Sequence, residues 1–194
     1  MKGVFRENPL LALSVVLPVA VVLLFAAATA IPRWLTDPPA HDLLLSVEHV
    51  ASPRVLPVRI QLSVENASVV ARAVKLGEYE QGYAPRIFRY NHESGSVREI
   101  TIPIPDDIET MPNGKVIPIP ELEGVAVSPE LVAPDGYEYR GYHGRNGFIL
   151  EFFGTSRGRQ KITVAKNGAI VAIDLPDAGY WYYGTRFLGW VNSE

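Results

Sequence analysis

The chain has 194 residues, no cysteine and a formal net charge of −3 at pH 7. Without residues 1–37 it carries 15 Lys and Arg side chains against 19 Asp and Glu side chains, an acidic balance that argues against a general nucleic-acid binder. The absence of cysteine excludes disulfides, thiolate catalysis and cysteine-based zinc or haem sites.

The first predicted element is an apolar helix. Residues 10–31 include no charged side chain, and these 22 residues would span roughly 33 Å as a helix, enough to cross a bilayer core of about 30 Å. The apolar region of a secretion signal is shorter, roughly 7–15 residues. Ile31-Pro32 also follows directly on the small residues that resemble a cleavage site. The sequence therefore predicts a permanent transmembrane anchor over residues 10–31.

The residues around this helix predict its orientation. Lys2 and Arg6 precede it, whereas Arg33 is the one basic residue that follows closely, with Asp37 and Asp42 behind it. By the positive-inside rule, residues 1–9 form a short cytoplasmic tail, and the C-terminal domain lies in the periplasm. The protein is thus expected to be a single-pass protein of the bacterial inner membrane.

Residues near the outer end of the helix are expected to contact lipid or a partner. Arg33 and Trp34 stand where basic and aromatic side chains anchor a helix at the membrane interface. Ala26 and Ala30 are small and four residues apart, so they allow close approach to a helix of an integral membrane partner.

The pattern changes beyond the helix from helical to strand-like. Residues 32–42 are predicted as a juxtamembrane linker, and residues 43–194 as an antiparallel β domain, because apolar and polar residues alternate there with a period of two. Asn167-Gly168 is a strong signal for a two-residue hairpin. Predicted strands cover residues 56–64, 68–76, 87–90, 97–102, 137–142, 148–153, 161–166 and 169–174. The fold class is therefore all-β, a sandwich of about seven to ten strands.

One candidate binding surface is basic. Arg157 and Arg159 lie in a glycine-containing loop, within a segment (residues 140–166) that has six basic residues and one acidic residue. Such a segment suits an oppositely charged partner or anionic lipid headgroups. The alternative is that it faces the acidic segment 106–130 of the same domain.

A second candidate surface is the aromatic tail, residues 180–190, in which six of eleven residues are aromatic. Neighbours in a strand point to opposite faces, so one side packs on the core and the other meets a protein partner, a glycan or the membrane surface. The alternative is a well-filled core. The candidate contact residues are Tyr180, Trp181, Tyr183 and Trp190.

Catalytic motifs are missing from the sequence. The four histidines, His41, His49, His92 and His143, form no HExxH motif or other close ligand pair. No GxSxG nucleophile elbow, Walker A motif or dinucleotide fingerprint is found. The sequence therefore predicts no enzymatic activity, no cofactor and no metal site.

These observations predict a non-catalytic accessory or assembly subunit of an inner-membrane protein complex. Its single helix would anchor it, and its periplasmic β domain would contact the integral membrane partner. The alternative is a membrane-tethered periplasmic binding module for cell-wall glycan or another ligand, which rests on the aromatic tail and the basic loop alone.

Overall fold

The computed structural model describes residues 9–48, 56–77, 80, 82–143, 161–176 and 184–192. The chain divides into two compact units, one of Met1–Asp37 with Lys166–Ile170 and one of Pro38–Ala165 with Val171–Glu194. The described part is mostly β, with antiparallel sheets, one α-helix and one short 3₁₀-helix. The all-β prediction is confirmed at the level of fold class.

The first unit includes helix α1, Pro9–Leu35, which has 27 residues. Its side chains are described for residues 14–27 and for Leu35, and the large apolar ones among them are 43% to 81% exposed. Within the described residues, no helix is long and apolar enough to cross a membrane.

The described strands follow one another along the chain with a single 3₁₀-helix, Pro120–Leu122, between β6 and β7. They are β1 (Asp42–Val47), β2 (Val58–Glu65), β3 (Ser68–Lys75), β4 (Arg86–Tyr90), β5 (Val97–Ile100), β6 (Lys115–Ile117), β7 (Val127–Ser128), β8 (Glu138–His143), β9 (Lys161–Lys166), β10 (Ala169–Ile173) and β11 (Thr185–Val191). The predicted strand at 148–153 lies outside the described residues.

Two β-hairpins have turns in which both central residues adopt a positive φ. Asn167 (φ 49°) and Gly168 (φ 82°) join β9 to β10, and Asn66 (φ 49°) and Ala67 (φ 58°) join β2 to β3. Two consecutive residues with positive φ define the turn whose twist matches paired strands. The hairpin predicted at Asn167-Gly168 is confirmed.

The strands form three sheets. A five-stranded sheet has the order β5-β4-β1-β11-β7, and two three-stranded sheets have the orders β2-β3-β6 and β10-β9-β8. β1 lies in the middle of the five-stranded sheet, and all six of its residues are buried. The sequence pattern predicts no strand here, and the predicted linker 32–42 includes Asp42, the first residue of β1.

The five-stranded sheet has a hydrophobic core on each face. On one face, Leu44 and Leu188 belong to a cluster with Ile60 and Leu62 of β2. On the other, Leu43, Leu45 and Trp190 belong to a cluster with Ile162 and Val164 of β9. The described part has eleven strands in three sheets, more than the seven to ten predicted for a sandwich, and the five-stranded sheet packs apolar side chains on both of its faces.

Candidate functional site

The first half of β11 has a side that faces no other described strand. β1 pairs with β11 from Thr185 to Val191, whereas β7 pairs on the other side with Trp190 and Val191 alone. Leu188 has no partner in the β1 register, which marks a β-bulge. Bulges bend a strand and interrupt its pairing. In addition, Pro129 follows β7 directly, and proline cannot donate a backbone hydrogen bond to extend the pairing of β7. Among the described residues, no strand pairs with residues 185–188 on this side.

The register of β1 and β11 determines which backbone groups face this open side. The N–H of Glu48 donates to the carbonyl of Gly184 at 3.0 Å, next to the pair Val47 and Thr185. In an antiparallel ladder this arrangement makes Val47 and Thr185 a non-hydrogen-bonded pair, so the N–H and C=O of Thr185 point away from β1. The alternation repeats two residues later, at Phe187. The backbone groups of Thr185 and Phe187 therefore face the open side.

A groove of about 670 Å³ lies along this side of β11; we call it the β11 groove. Its lining is mostly apolar or aromatic, and Leu131 in its wall is 56% exposed. The lining residues are Ser63 and Val64 of β2, Pro129 and Leu131 after β7, Tyr139 and Gly141 of β8, and Thr185, Arg186, Phe187 and Leu188 of β11.

Aromatic rings form one wall of the β11 groove and continue beneath it. The rings of Tyr139 and Phe187 stack with their centroids 4.7 Å apart, and Phe187 meets Trp190 edge-on at 5.9 Å. Burial raises the pKa of the Tyr139 phenol above its ordinary value, so this side chain is uncharged at neutral pH. The rings give the groove a rigid apolar wall next to the open backbone.

Trp190 itself lies in the core. It is 1% exposed, and its indole Nε1 donates to the carbonyl of Leu131 at 3.4 Å. The sequence predicts that Trp190 contacts a partner, but its own side chain is buried in the core. Its contribution to the β11 groove is to support Phe187 and Leu131 from below.

The polar groups of the β11 groove are few. Arg186 is exposed, and its guanidinium donates to the carbonyl of Leu62 at 3.4 Å. The hydroxyl of Thr185 is buried and has no hydrogen-bond partner among the described residues. Buried polar atoms are nearly always hydrogen-bonded in folded proteins, so this hydroxyl is a candidate contact for a ligand.

A smaller cavity of about 150 Å³ lies on the other side of Arg186. Here Arg59 pairs with Glu80 at 3.1 Å and lies over the ring of Tyr83 at 5.9 Å. The Tyr83 hydroxyl donates to Glu48 at 3.1 Å. Carboxylates already accompany the cations in this cavity, which makes it a poor site for an added anion.

Asp42 is the centre of a buried polar cluster that the sequence analysis missed. Its side chain is 5% exposed. Arg89 donates to Oδ2 through Nε at 2.7 Å and through its terminal nitrogen at 2.6 Å. The backbone N–H of His92 donates to Oδ1 at 2.9 Å, and the ring Nδ1 lies 2.7 Å from the same oxygen. The cluster ties the start of β1 to the turn between β4 and β5.

The pKa of Asp42 reflects two opposing effects. Burial by itself raises the pKa, but the hydrogen bonds from His92 and Arg89 and the charge of Arg89 together hold it below its ordinary value of 3.8. The carboxylate is therefore ionised at neutral pH and fully engaged, which indicates a structural role. The one sequence signal was an acidic residue at the start of an apolar run.

The other predicted site residues are distributed as follows. Ala26 is exposed on α1, and Ala30, Arg33 and Trp34 lie in α1 with side chains outside the described set. Arg157, Arg159, Tyr180, Trp181 and Tyr183 lie outside the described residues. Among the described residues, no group of three or more His, Asp or Glu side chains is placed to hold a metal ion.

Comparisons with protein-family models, curated proteins and solved structures found no match to this chain. The chemistry of its function is therefore inferred from the geometry of the β11 groove and from the sequence of α1.

Proposed function

We propose that this protein is a non-catalytic accessory or assembly subunit of a bacterial inner-membrane complex, with a periplasmic β domain that binds the partner protein. The observation that carries the proposal is the β11 groove. It combines an apolar aromatic wall with strand backbone groups that face no described strand. Exposed apolar surface next to an open strand edge is typical of a protein-binding site.

The proposed anchor is helix α1. Residues 10–31 include no charged side chain, and as a helix they would span roughly 33 Å. Residues 14–27, whose side chains the structure describes, cover roughly 21 Å of that length. Val15, Leu23 and Phe25 are 51%, 63% and 54% exposed. A helix that is apolar all round must be covered by lipid or protein, which supports membrane anchoring with Arg33 and Trp34 at the interface.

The proposed orientation can be tested with a reporter. We expect alkaline phosphatase fused after Glu194 to be active, because Lys2 and Arg6 favour a cytoplasmic N-terminus. The measurement is phosphatase activity in whole cells, normalised to the amount of fusion protein. The matched control is a fusion after Arg6, which is expected to be inactive. The control gives the background of a fusion without the helix, and a C-terminal fusion that is no more active than this background would contradict the proposed orientation.

The subunit proposal predicts two levels of contact with the partner, one through the helix and one through the β domain. Exchanging residues 10–31 for an unrelated membrane helix should weaken co-purification of the partner without abolishing it. Tethering makes the second contact intramolecular and raises avidity by roughly 10²–10⁴, so the loss of one contact leaves a weaker complex. The measurement is the yield of co-purified partner after gentle solubilisation, compared with the unaltered chain.

The decisive negative result is a correctly folded chain that, after gentle solubilisation, always purifies as a monomer without a co-purified protein. In that case the subunit proposal is wrong, and the glycan-binding alternative takes its place. The stacked Tyr139 and Phe187 rings favour that alternative, since aromatic faces also stack on sugar rings.

A further inference from the structure

We infer that the β11 groove binds an extended segment of the partner protein by strand addition, and that this segment carries an acidic side chain next to Arg186. The inference rests on the proposed partner-binding function and specifies the chemistry of the contact. In this mode, backbone hydrogen bonds give affinity, and pockets for alternate side chains give specificity.

The backbone groups of β11 have the spacing that strand addition needs. Thr185 and Phe187 are two residues apart, and both direct N–H and C=O away from β1. A strand advances about 3.3 Å per residue, so residues 185–188 offer a length of roughly 13 Å, enough for about four residues of an added strand. β7 occupies the same side of β11 farther along, at Trp190 and Val191. An added strand would therefore continue the five-stranded sheet.

The side walls of the β11 groove can accept the side chains of such a strand. On one wall, the stacked Tyr139 and Phe187 rings present an apolar surface. Leu131, whose carbonyl accepts the N–H of Tyr139 at 2.8 Å, is 56% exposed. On the other wall, Val64 of β2 lines the groove and packs against the core of the opposite face. Successive side chains of a strand point to opposite sides, so alternate apolar residues would lie against these walls. The buried hydroxyl of Thr185, which has no partner among the described residues, gains one from the added segment.

Charge specifies the partner further. Arg186 is the one charged residue among the described residues that line the groove, so an acidic side chain complements it. Within this chain, the stretch 148–153 carries Glu151 and no basic residue, so it is the competing occupant, and its binding in the groove would leave the library without an enriched peptide.

The test uses the full chain in lipid nanodiscs and a library of random heptapeptides displayed on phage. We expect enriched peptides to alternate apolar residues and to share one Asp or Glu. Arg186→Glu should reverse this preference and enrich peptides with Lys or Arg, whereas Arg186→Lys should keep the acidic preference. The matched control is Arg98→Glu. Arg98 is 55% exposed on β5, at the opposite edge of the same sheet, and its reversal should leave the selection unchanged.

A second measurement tests the backbone contact. The enriched peptide is synthesised twice, with N-methyl groups on one or the other alternate set of amides. Methylation of the set that faces β11 removes hydrogen bonds and should weaken binding about tenfold or more, whereas methylation of the other set should have little effect. Equal effects of both sets would overturn strand addition, as would an absence of enriched peptides or enrichment that is unchanged in Arg186→Glu.

The subunit function and strand addition in the β11 groove can be contradicted independently of each other. Co-purification of the partner with the unaltered chain tests the subunit function without reference to the groove chemistry. If the partner co-purifies and the library yields no peptide that depends on Arg186, the protein is a subunit but does not bind through the β11 groove as inferred here.

Discussion

Replacing Trp190 with Ala is expected to lower the free energy of unfolding by about 3–5 kcal/mol, the usual cost of truncating a large buried aromatic side chain. Trp190 is 1% exposed and lies in the core that includes Leu43, Leu45 and Ile162. Truncation removes its contact with Phe187 and its hydrogen bond to Leu131. The measurement is thermal or denaturant unfolding of the solubilised full chain, followed by tryptophan fluorescence and circular dichroism.

The control for this substitution is Val116→Ala. Val116 is 43% exposed on β6, and substitutions at such surface positions usually change stability by about 0.5 kcal/mol or less. Equal unfolding free energies for the two variants would contradict a core position for Trp190. Because Trp190 supports the wall of the β11 groove, its variant should also lose peptide binding, whereas the Val116 variant should keep it.

Much of the β architecture could be predicted because its signals are local. The alternation of residues 56–64 marks β2, which the structure places at Val58–Glu65. The Asn167-Gly168 pair needs only its own backbone conformation to specify a hairpin. In each case the residues that carry the signal also form the element, so the sequence pattern and the structure agree.

The central strand could not be predicted in this way. β1 reads Asp-Leu-Leu-Leu-Ser-Val, and its apolar run does not alternate because both faces of the strand are buried. A continuous apolar run is ambiguous between a buried strand and a buried helix segment. The arrangement of the five-stranded sheet depends on which strands neighbour β1, and that is a property of the whole fold.

The β11 groove was missed for a related reason. Its open backbone follows from the pairing of Thr185 with Val47, two residues far apart in the chain. Strand register is set by such distant pairings and by the hydrophobic faces that they bury. The alternation of the aromatic tail predicts that its rings divide between two faces, but it does not specify that Trp190 faces the core and that Phe187 lines a groove.

Replacing Asp42 with Asn is expected to lower the free energy of unfolding by roughly 2–4 kcal/mol at neutral pH, because breaking a buried ion pair leaves donors without their anion. The side chain of Arg89 is 25% exposed, so water compensates part of this loss. The Asn amide also places an N–H group against the Arg89 guanidinium or the His92 N–H, where acceptors are required. Unfolding of the solubilised chain measures the loss, and Asp107→Asn, at an exposed position, is the matched control.

The pH dependence gives this prediction a second, independent test. The pKa of Asp42 is lowered in the folded protein from its ordinary value of 3.8, so unfolded chains bind the proton more readily. The stability that the carboxylate contributes is fully present above the unfolded pKa and is lost as the pH falls through the folded pKa. The difference in unfolding free energy between the natural chain and Asp42→Asn should therefore be constant near neutrality and shrink below about pH 4. A difference that stays constant down to about pH 2 would show that the charge of Asp42 does not stabilise the junction between β1 and the β4–β5 turn.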